Sequence, residues 1–488
     1  MMATREDVLM RLRNVLSNRF SKKTKELIDN TMIFGLGTFG SKIILFFLVP
    51  LYSSVLAAEE YSNADLIVSS MSLVYPIFSL GIEQSIIRFG LTDLDNRENV
   101  LHIAIDITIV GGSLFTFLVI AVNLFYHVPY IGFIIILYFS SSLSHILASY
   151  AKAKEQNKTY AINAVLSAGT LCISNILTLL VLKLGVFGYL ISVIIRNVVS
   201  VLFLSICCGV IPSYFIGRNI VSLKHKMIGY SLPLVPNTVS WWITQLSDRY
   251  LVKFISGDFI NGLYSMAYKI PSVFNLFVTI FSQAFSLSVF KQMDKEKDNN
   301  FSQIYKYYVA ITFLSGSFII LLSRMFAGIL LKKSFYQSWV YIPILILAYV
   351  IGNLQAYYGN LFAGLKLSRQ VFKTTLLGAV TNILLNILLI PKFNAYGAAI
   401  ATVFSYLVIY YARYFILKRI MAFEHNIILN TICILIMTMQ IVLYEVDIPI
   451  CYVFSFVLFF VYLIMFNKEL KTLLHKIVKN TNLESKKN

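Results

Sequence analysis

Charged residues are scarce in this chain of 488 residues. Asp, Glu, Lys and Arg make up only 13% of it, whereas 58% of the residues are hydrophobic. Soluble domains usually keep about a quarter of their residues charged. A helix needs roughly 20 apolar residues to cross a hydrocarbon core of about 30 Å, and this sequence supplies such runs almost end to end. The composition excludes a series of soluble domains and predicts an all-α integral membrane protein.

Motifs of several enzyme and cofactor classes are also lacking. The five cysteines lie in or beside apolar runs, without the spacing of a disulfide framework or a zinc site. No G-x-x-x-x-G-K-[ST], H-E-x-x-H or G-x-S-x-G string occurs. We therefore expect no cofactor and no enzymatic activity. A membrane glycan polymerase or ligase is the main enzymatic rival, and it would carry a long loop outside the membrane, whereas every predicted loop is short.

The net charge of +18 does not indicate a nucleic-acid partner. Nucleic-acid binders concentrate Lys and Arg on one folded face, whereas here these residues fall between apolar runs. Apolar runs bounded by charge, Pro and Gly predict fourteen transmembrane spans, with membrane lipid around them. They lie near 30–54, 63–89, 99–126, 129–151, 160–182, 186–210, 230–255, 260–290, 307–330, 338–364, 372–391, 395–417, 426–444 and 449–466.

The basic residues indicate the orientation of the chain. If both termini are cytoplasmic, 29 of the 41 Lys and Arg residues fall in inner segments, 5 in outer loops and 7 within spans. Cytoplasmic segments of membrane proteins carry this excess. An odd number of spans would reverse every later loop and destroy the pattern. A multi-pass protein of the cytoplasmic membrane with both termini inside is therefore predicted.

Spans one to six and seven to twelve resemble two copies of one unit. Asn175 and the later Gly188 in the first half recur as Asn386 and Gly397 in the second. Copies of six spans share one orientation, and transporters built from such parallel repeats bind substrate between them. The predicted parts are a basic cytoplasmic segment 1–28, a bundle 29–212, a cytoplasmic linker 213–229, a second bundle 230–420, two further helices 421–467 and a basic cytoplasmic tail 468–488.

Ionisable residues within the spans are candidates for a transport pathway, because a charge near the bilayer centre costs about 2.5–3.5 kcal/mol on insertion scales. Cations predominate over anions there. The cations are Lys42, Arg88, Arg196, Arg249, Lys269, Arg324 and Arg413, and the anions are chiefly Glu83, Asp106 and Asp248. A cavity with this excess would attract a phosphate or diphosphate.

These ionisable residues fall into groups according to their predicted depth in the membrane. Lys42, Arg196 and Lys269 are predicted at or near mid-depth, where they favour lining a water-filled cavity over a structural ion pair. For Arg88, Glu83 and Arg413, near the inner ends, snorkelling to the membrane surface is favoured. Asp248 is expected to pair with a neighbouring helix. Asp106, one turn from His102, could serve proton coupling or form a boundary hydrogen bond.

Two blocks of sequence resemble the Wzx-type polysaccharide flippases, whose superfamily also includes multidrug and toxin extrusion exporters and lipid II flippases. The first runs from Asn30 and Gly35 through Pro50 to EEYSNADL at 59–66 and SLGIEQSIIRF at 79–89. The second contains YSLPLVP at 230–236 and SDRYLVKFISGDFINGLYSMAYK at 247–269. Ser62 departs from the glycine that is usual in the family.

The resemblance implies two six-helix bundles around a cationic cavity that opens alternately to each side. The implied cargo is an oligosaccharide repeat unit on undecaprenyl pyrophosphate, as in O-antigen, lipopolysaccharide or capsule synthesis, with polymerase and chain-length proteins as partners. Arg88, Arg249 and Lys269 stand in the family's motif positions, and with Lys42 and Arg196 they form the predicted cargo site. A cation-coupled multidrug exporter, which would show acidic cavity residues, and a lipid II flippase remain alternatives.

Overall fold

The computed structural model describes residues 40–92, 96–210, 221–272, 301–365, 367–420, 426–446 and 448–472. Within these ranges all regular secondary structure is helical. The predicted segment 1–28, the first part of the linker and residues 473–488 of the predicted tail lie outside them.

Fifteen helices are numbered here in chain order through the described ranges. They are α1 Gly40–Val55, α2 Ala58–Phe78, α3 Ile82–Thr92, α4 Arg97–Phe125, α5 Ile131–Ala153, α6 Asn157–Asn175, α7 Gly185–Cys207, α8 Val221–Ser231, α9 Val235–Ser256, α10 Asp258–Ala267, α11 Phe301–Leu330, α12 Ile342–Gly364, α13 Ser368–Ile420, α14 Ile427–Glu445 and α15 Pro449–Met465. A π-helical segment, Ile176–Val181, extends α6, and a 3₁₀ segment, Lys333–Tyr341, precedes α12.

The helices suit a bilayer. In the described ranges eight helical segments are long and apolar enough to span it, and α2 with α3, bent by 60°, form a ninth such unit. Asn394, with φ 49°, divides α13 into two helices that correspond to the predicted spans eleven and twelve. Each of the fourteen predicted spans overlaps a helix, and the all-α transporter fold predicted from the sequence is confirmed.

Large apolar side chains cover the outside of the bundle. Phe117, Leu124 and Ile206 are 67%, 78% and 79% exposed. Such residues are ordinary on a lipid-facing surface, whereas contiguous apolar patches of this kind are uncommon on soluble monomers. The exposed side chains therefore support the membrane assignment independently of helix length.

Successive connections between the helices lie alternately at the two ends of the bundle. At one end, which we call the distal end, Tyr130 packs against Phe187, Tyr61 against Phe335, and Lys253 bonds to Asn63. This end holds the connections predicted to be outside. At the opposite, proximal end, the Lys154 ammonium donates to Cys208 O, and Ser85 Oγ donates to Met227 O of α8, which begins within the predicted linker.

The two halves repeat one packing detail. A Cβ added to Gly188 would lie 3.0 Å from the carbonyl oxygen of Thr178, three residues after Asn175. A Cβ added to Gly397 would lie 2.5 Å from the carbonyl of Leu389, three residues after Asn386. In both halves the glycine lets two helices meet backbone to backbone. The matched geometry supports the internal repeat.

The last two helices pack on the second half. Gln440 of α14 accepts a hydrogen bond from Ser317 of α11 at 2.7 Å, and its amide donates to Ser455 O of α15. Asn430 of α14 donates to the hydroxyls of Tyr305 and Tyr410. Buried polar bonds of this kind fix helix positions in lipid, so α14 and α15 extend the second half.

The two halves meet closely at the distal end, where α2 packs on α9 and α10. Gly262 of α10 touches the backbone of α2, because a Cβ there would lie 2.0 Å from Ala58 O. Beside it Ser62 is fully buried; it donates to Asp258 and accepts from Asn261, each at 2.9 Å. The hydroxyl at this position, which departs from the family pattern, thus bonds the two halves together.

Candidate functional site

A charged cluster lies between the halves, just below the distal contact. Asp65 of α2 is 4% exposed and forms ion pairs with two cations of the second half. Arg249 Nη1 of α9 lies 2.6 Å from Asp65 Oδ2, and Lys269 Nζ, just after α10, lies 3.1 Å from Asp65 Oδ1. Tyr61 also donates to Asp65 at 3.3 Å. One carboxylate of the first half therefore holds two cations of the second.

Aromatic rings line the cluster. The Arg249 guanidinium lies 4.7 Å from the centre of the Tyr268 ring, and Lys269 Nζ lies 5.7 Å from that of Tyr61. Arg249 Nε is buried and makes no hydrogen bond to any described residue. Ring faces stabilise cations without neutralising them, so Asp65 remains the carboxylate that pairs with both cations.

Asp248 is a second buried carboxylate beside this cluster. It accepts hydrogen bonds from the hydroxyls of Tyr264 and Tyr268 at 2.7 Å each, and from the backbone N–H of Arg249 at 2.8 Å. The predicted pairing with a neighbouring helix is thus found with α10. If Asp65, Asp248, Arg249 and Lys269 are all ionised, their formal charges sum to zero.

A cavity of about 310 Å³ lies at the boundary of the halves. Helices α2, α3, α5 and α7 of the first half form most of its wall, and Thr238 of α9 contributes from the second. Its titratable lining groups include Arg196, His145 and Glu83. His145 stacks on Tyr75 with ring centres 5.4 Å apart. The cavity is thus enclosed chiefly by the first half and carries both signs of charge.

Arg196 is the cavity's arginine, and neutral groups hold it in place. Its Nη2 and Nε lie 2.9 and 3.2 Å from Asn197 Oδ1, and the Asn197 amide donates to Ser140 and Ser141. No carboxylate of the described chain lies within ion-pair distance of this guanidinium. A guanidinium held only by an amide retains donors for an anionic ligand.

The cluster and the cavity share one face of α2. Val68, Ser72 and Tyr75 line the cavity, and Asp65 lies three, seven and ten residues before them, which places all four on one helical stripe. Three residues, about 4.5 Å along the axis, separate Asp65 from Val68. The ion cluster therefore lies next to the cavity, between its lining and the distal end of α2.

Several predicted site residues lie elsewhere. Lys42 of α1 is exposed and Arg88 of α3 stacks 4.2 Å over the Tyr230 ring; neither lines the cavity. Asp106 Oδ2 of α4 lies 3.2 Å from His102 Nε2, away from the cavity lining. Glu83 lines the cavity. The structure thus places Arg196 and Glu83 in the cavity wall, Arg249, Lys269 and Asp248 in the ion cluster, and Lys42, Arg88 and Asp106 in neither. The expectation that Lys269 lines a cavity rather than forms an ion pair is wrong, because it pairs with Asp65.

Two residues were misjudged from the sequence. Asp65 was overlooked as an ion-pair partner because it stands near the end of a predicted span and its cations lie 184 and 204 residues away. Arg413, expected to snorkel, is 1% exposed and bonds within the protein to Gln355, Thr374 and Thr375. The snorkelling prediction for Arg413 is wrong, because neutral oxygens satisfy the guanidinium in place.

The chain matches a family model described as polysaccharide biosynthesis protein over residues 27–285. An uncharacterized membrane protein of Methanocaldococcus jannaschii is 22% identical over 259 residues, which are 50% of this chain and 60% of that relative. The match thus spans less than two thirds of the relative's length.

Solved structures of low sequence identity share the fold. Lipid II flippase MurJ, in an inward closed conformation, has a TM-score of 0.64 at 16% identity and covers 90% of this chain and 99% of its own. An inward-facing MATE family multidrug resistance transporter gives 0.59 at 13%, covering 84% and 98%. A MOP superfamily transporter from Pyrococcus furiosus gives 0.56 at 13%, covering 86% and 99%. At these identities the likeness establishes the fold alone.

Proposed function

Because the chain belongs to the polysaccharide biosynthesis protein family, we propose that it is a flippase for an oligosaccharide repeat unit linked to undecaprenyl pyrophosphate. It acts in a bacterial cytoplasmic membrane and moves this lipid-linked cargo from the inner to the outer leaflet by alternating access. Polymerase and chain-length proteins then use the product. The catalytic chemistry of glycan assembly lies with those partners, and this chain supplies transport.

One observation carries the proposal: Arg196 lines a cavity at the boundary of the halves and forms no ion pair with a carboxylate of the described residues. In a site of low dielectric such a cation gains most by binding a multiply charged anion. A diphosphate offers acceptor oxygens in the geometry that a guanidinium fork prefers. A glycan without the diphosphate would not explain a cation at this depth.

The arrangement suits alternating access. Under the predicted orientation the distal end faces the periplasm, and the close contact of α2 with α9 and α10 closes the cavity on that side. Separation of the halves there would expose the cavity and the cluster to the periplasm. Arg196 binds the diphosphate, and rocking of the two halves changes the side to which it is exposed. Lys42 and Arg88 are proposed to contact the cargo in conformations other than this one.

The test replaces Arg196 in a strain that carries the chain as its sole flippase. Arg196→Ala should reduce the surface glycan at least about tenfold, the loss typical of one good charge-assisted contact. Arg369→Ala, which removes an exposed arginine at the start of α13, is the matched control and should leave the glycan unchanged. Immunoblots of membranes check that both variants accumulate normally. A full glycan level in Arg196→Ala would overturn the cargo assignment.

The alternatives predict other phenotypes for loss of the chain. Loss of a lipid II flippase would stop peptidoglycan synthesis and lyse the cells. Loss of a multidrug exporter would sensitise cells to cationic compounds without changing the glycan, and Glu83 in the cavity wall is the residue that such a role would use. We expect viable cells that lack surface glycan and keep their drug tolerance.

A further inference from the structure

We propose that Asp65 is an internal competitor of the cargo: its carboxylate occupies, between Arg249 and Lys269, a binding site for a phosphate group, and leaves it when the cargo arrives. The proposal rests on the function proposed above and specifies how the cargo is released. It identifies Arg249 and Lys269 as a second anion site, distinct from Arg196.

The geometry of the cluster supports this site. A single carboxylate bridges a guanidinium at 2.6 Å and an ammonium at 3.1 Å, as one phosphate would. Both cations come from the second half, and the carboxylate comes from the first. Separation of the halves therefore takes Asp65 away from both cations at once and leaves two donors side by side, with the bare Nε of Arg249 as a third.

The position of the cluster supports the same conclusion. It lies between the cavity and the distal end, on the same α2 stripe as the lining residues Val68 and Ser72. Cargo that moves from Arg196 toward the distal opening must pass these cations. A diphosphate carries more charge than one carboxylate, so it can displace Asp65 while the distal end is open.

Burial explains why the cargo must then leave. The distal end closes only with Asp65 almost fully buried, and a buried charge without a partner is strongly destabilising. A phosphate that remained on Arg249 and Lys269 would deprive Asp65 of its partners and repel it. Closure and retention of cargo at this site therefore exclude each other, and re-formation of the Asp65 ion pairs returns the empty transporter.

The experiment measures binding and transport separately. Asp65→Asn keeps the shape of the side chain and removes its charge. In purified protein in lipid nanodiscs it should bind inorganic pyrophosphate about tenfold more tightly than wild type, within the range of about 5–150-fold that is usual for coupled sites. In cells it should lower the surface glycan, because release is slowed. If Asp65 had a merely structural role, its replacement would not tighten pyrophosphate binding.

Two variants control the measurement. Asp258→Asn removes another carboxylate from the same interface, one that pairs with Lys253 at 3.0 Å in a more exposed position, and should change pyrophosphate affinity less than about twofold. Adding Arg249→Gln to Asp65→Asn should abolish the gain. Unchanged or weaker pyrophosphate binding in a folded Asp65→Asn protein would overturn the competitor role.

A second measurement uses protein that retains Asp65, so it tests the inference even if the Asp65→Asn variant does not fold. A Ser62→Cys variant in a cysteine-free chain places a buried thiol beside the cluster. Pyrophosphate should speed its labelling by a membrane-impermeant maleimide, relative to NaCl of equal ionic strength. Unchanged labelling, with pyrophosphate binding that depends on Arg196, would overturn this inference alone. Absence of pyrophosphate binding in wild type and in Asp65→Asn would overturn the proposed function with it.

Discussion

Arg196 differs from the other deep cations because it has a neutral partner and also lines the cavity. Arg249 and Lys269 share a carboxylate, Arg413 is held by amide, hydroxyl and carbonyl oxygens, and Arg324 lies 3.9 Å over the Trp339 ring. The sequence allows the buried cations to be counted, but the count does not distinguish cations with different partners. The partner decides whether a buried cation can bind a ligand, and the partner is set by packing.

This reasoning predicts that neutralising Arg196 in place is as harmful as removing it. Asn197→Asp changes one atom type and puts a carboxylate where the Asn197 amide oxygen now lies, 2.9 Å from Nη2 of the guanidinium. The new ion pair should lower pyrophosphate affinity by about tenfold or more, measured by titration calorimetry in nanodiscs. Asn99→Asp, near the start of α4, is the control. Wild-type affinity in Asn197→Asp would show that Arg196 does not bind the anion.

The ion cluster shows how far the sequence could lead at the level of single residues. Arg249, Lys269 and Asp248 were found because charges inside apolar runs stand out. Their arrangement was not found, because Asp65 lies close to the predicted end of its span and joins residues that are 184 and 204 positions away. Sequence periodicity reports contacts within one helix, as for His102 and Asp106, but not those between helices.

At the level of helices the sequence predicted more. Lipid leaves the backbone no partner outside the chain, so apolar length almost determines where helices form. The division of α13 at Asn394 falls between predicted spans eleven and twelve, but a break within a span was harder to foresee. The bend between α2 and α3 falls at Leu80 and Gly81, both with positive φ, inside the single span predicted at 63–89. Such positions depend on tertiary contacts that apolar runs do not encode.

The paired glycines give a prediction at this scale. Gly397→Ala should destabilise the protein more than Gly188→Ala, because the added Cβ would lie 2.5 Å from a backbone carbonyl instead of 3.0 Å. Backbone cannot move aside as a side chain can, and overpacking of this kind costs about 1–3 kcal/mol. Thermal unfolding in detergent measures the difference. Gly169→Ala, where nothing lies within 4 Å of the added Cβ, should leave the melting temperature unchanged or raise it.

The whole molecule consists of two halves, and the contacts within a half differ from the contacts between the halves. Within the second half, buried hydrogen bonds such as Ser317 to Gln440 hold α14 and α15 in place. Between the halves, the contact combines apolar packing, such as Tyr61 on Phe335, with an ion cluster and a polar crossing of α2 with α10 around Ser62 and Asn261. Charges and hydroxyls can be rehydrated when they separate, so the polar part of this interface can open at lower cost than an apolar contact.

A covalent link between the halves should therefore affect transport differently from a link within the second half. In a cysteine-free background that still transports, cysteines at Ser62 and Asn261 joined by a short bifunctional thiol reagent should stop glycan export, because the distal end could no longer open. Cysteines at Ser317 and Gln440, joined by the same reagent, should leave export intact, since both belong to one rigid half. Surface glycan is measured before and after linking, and a reducible reagent allows recovery to be tested. Export that persists with Ser62 linked to Asn261 would exclude rocking of the halves about the cavity as the transport motion.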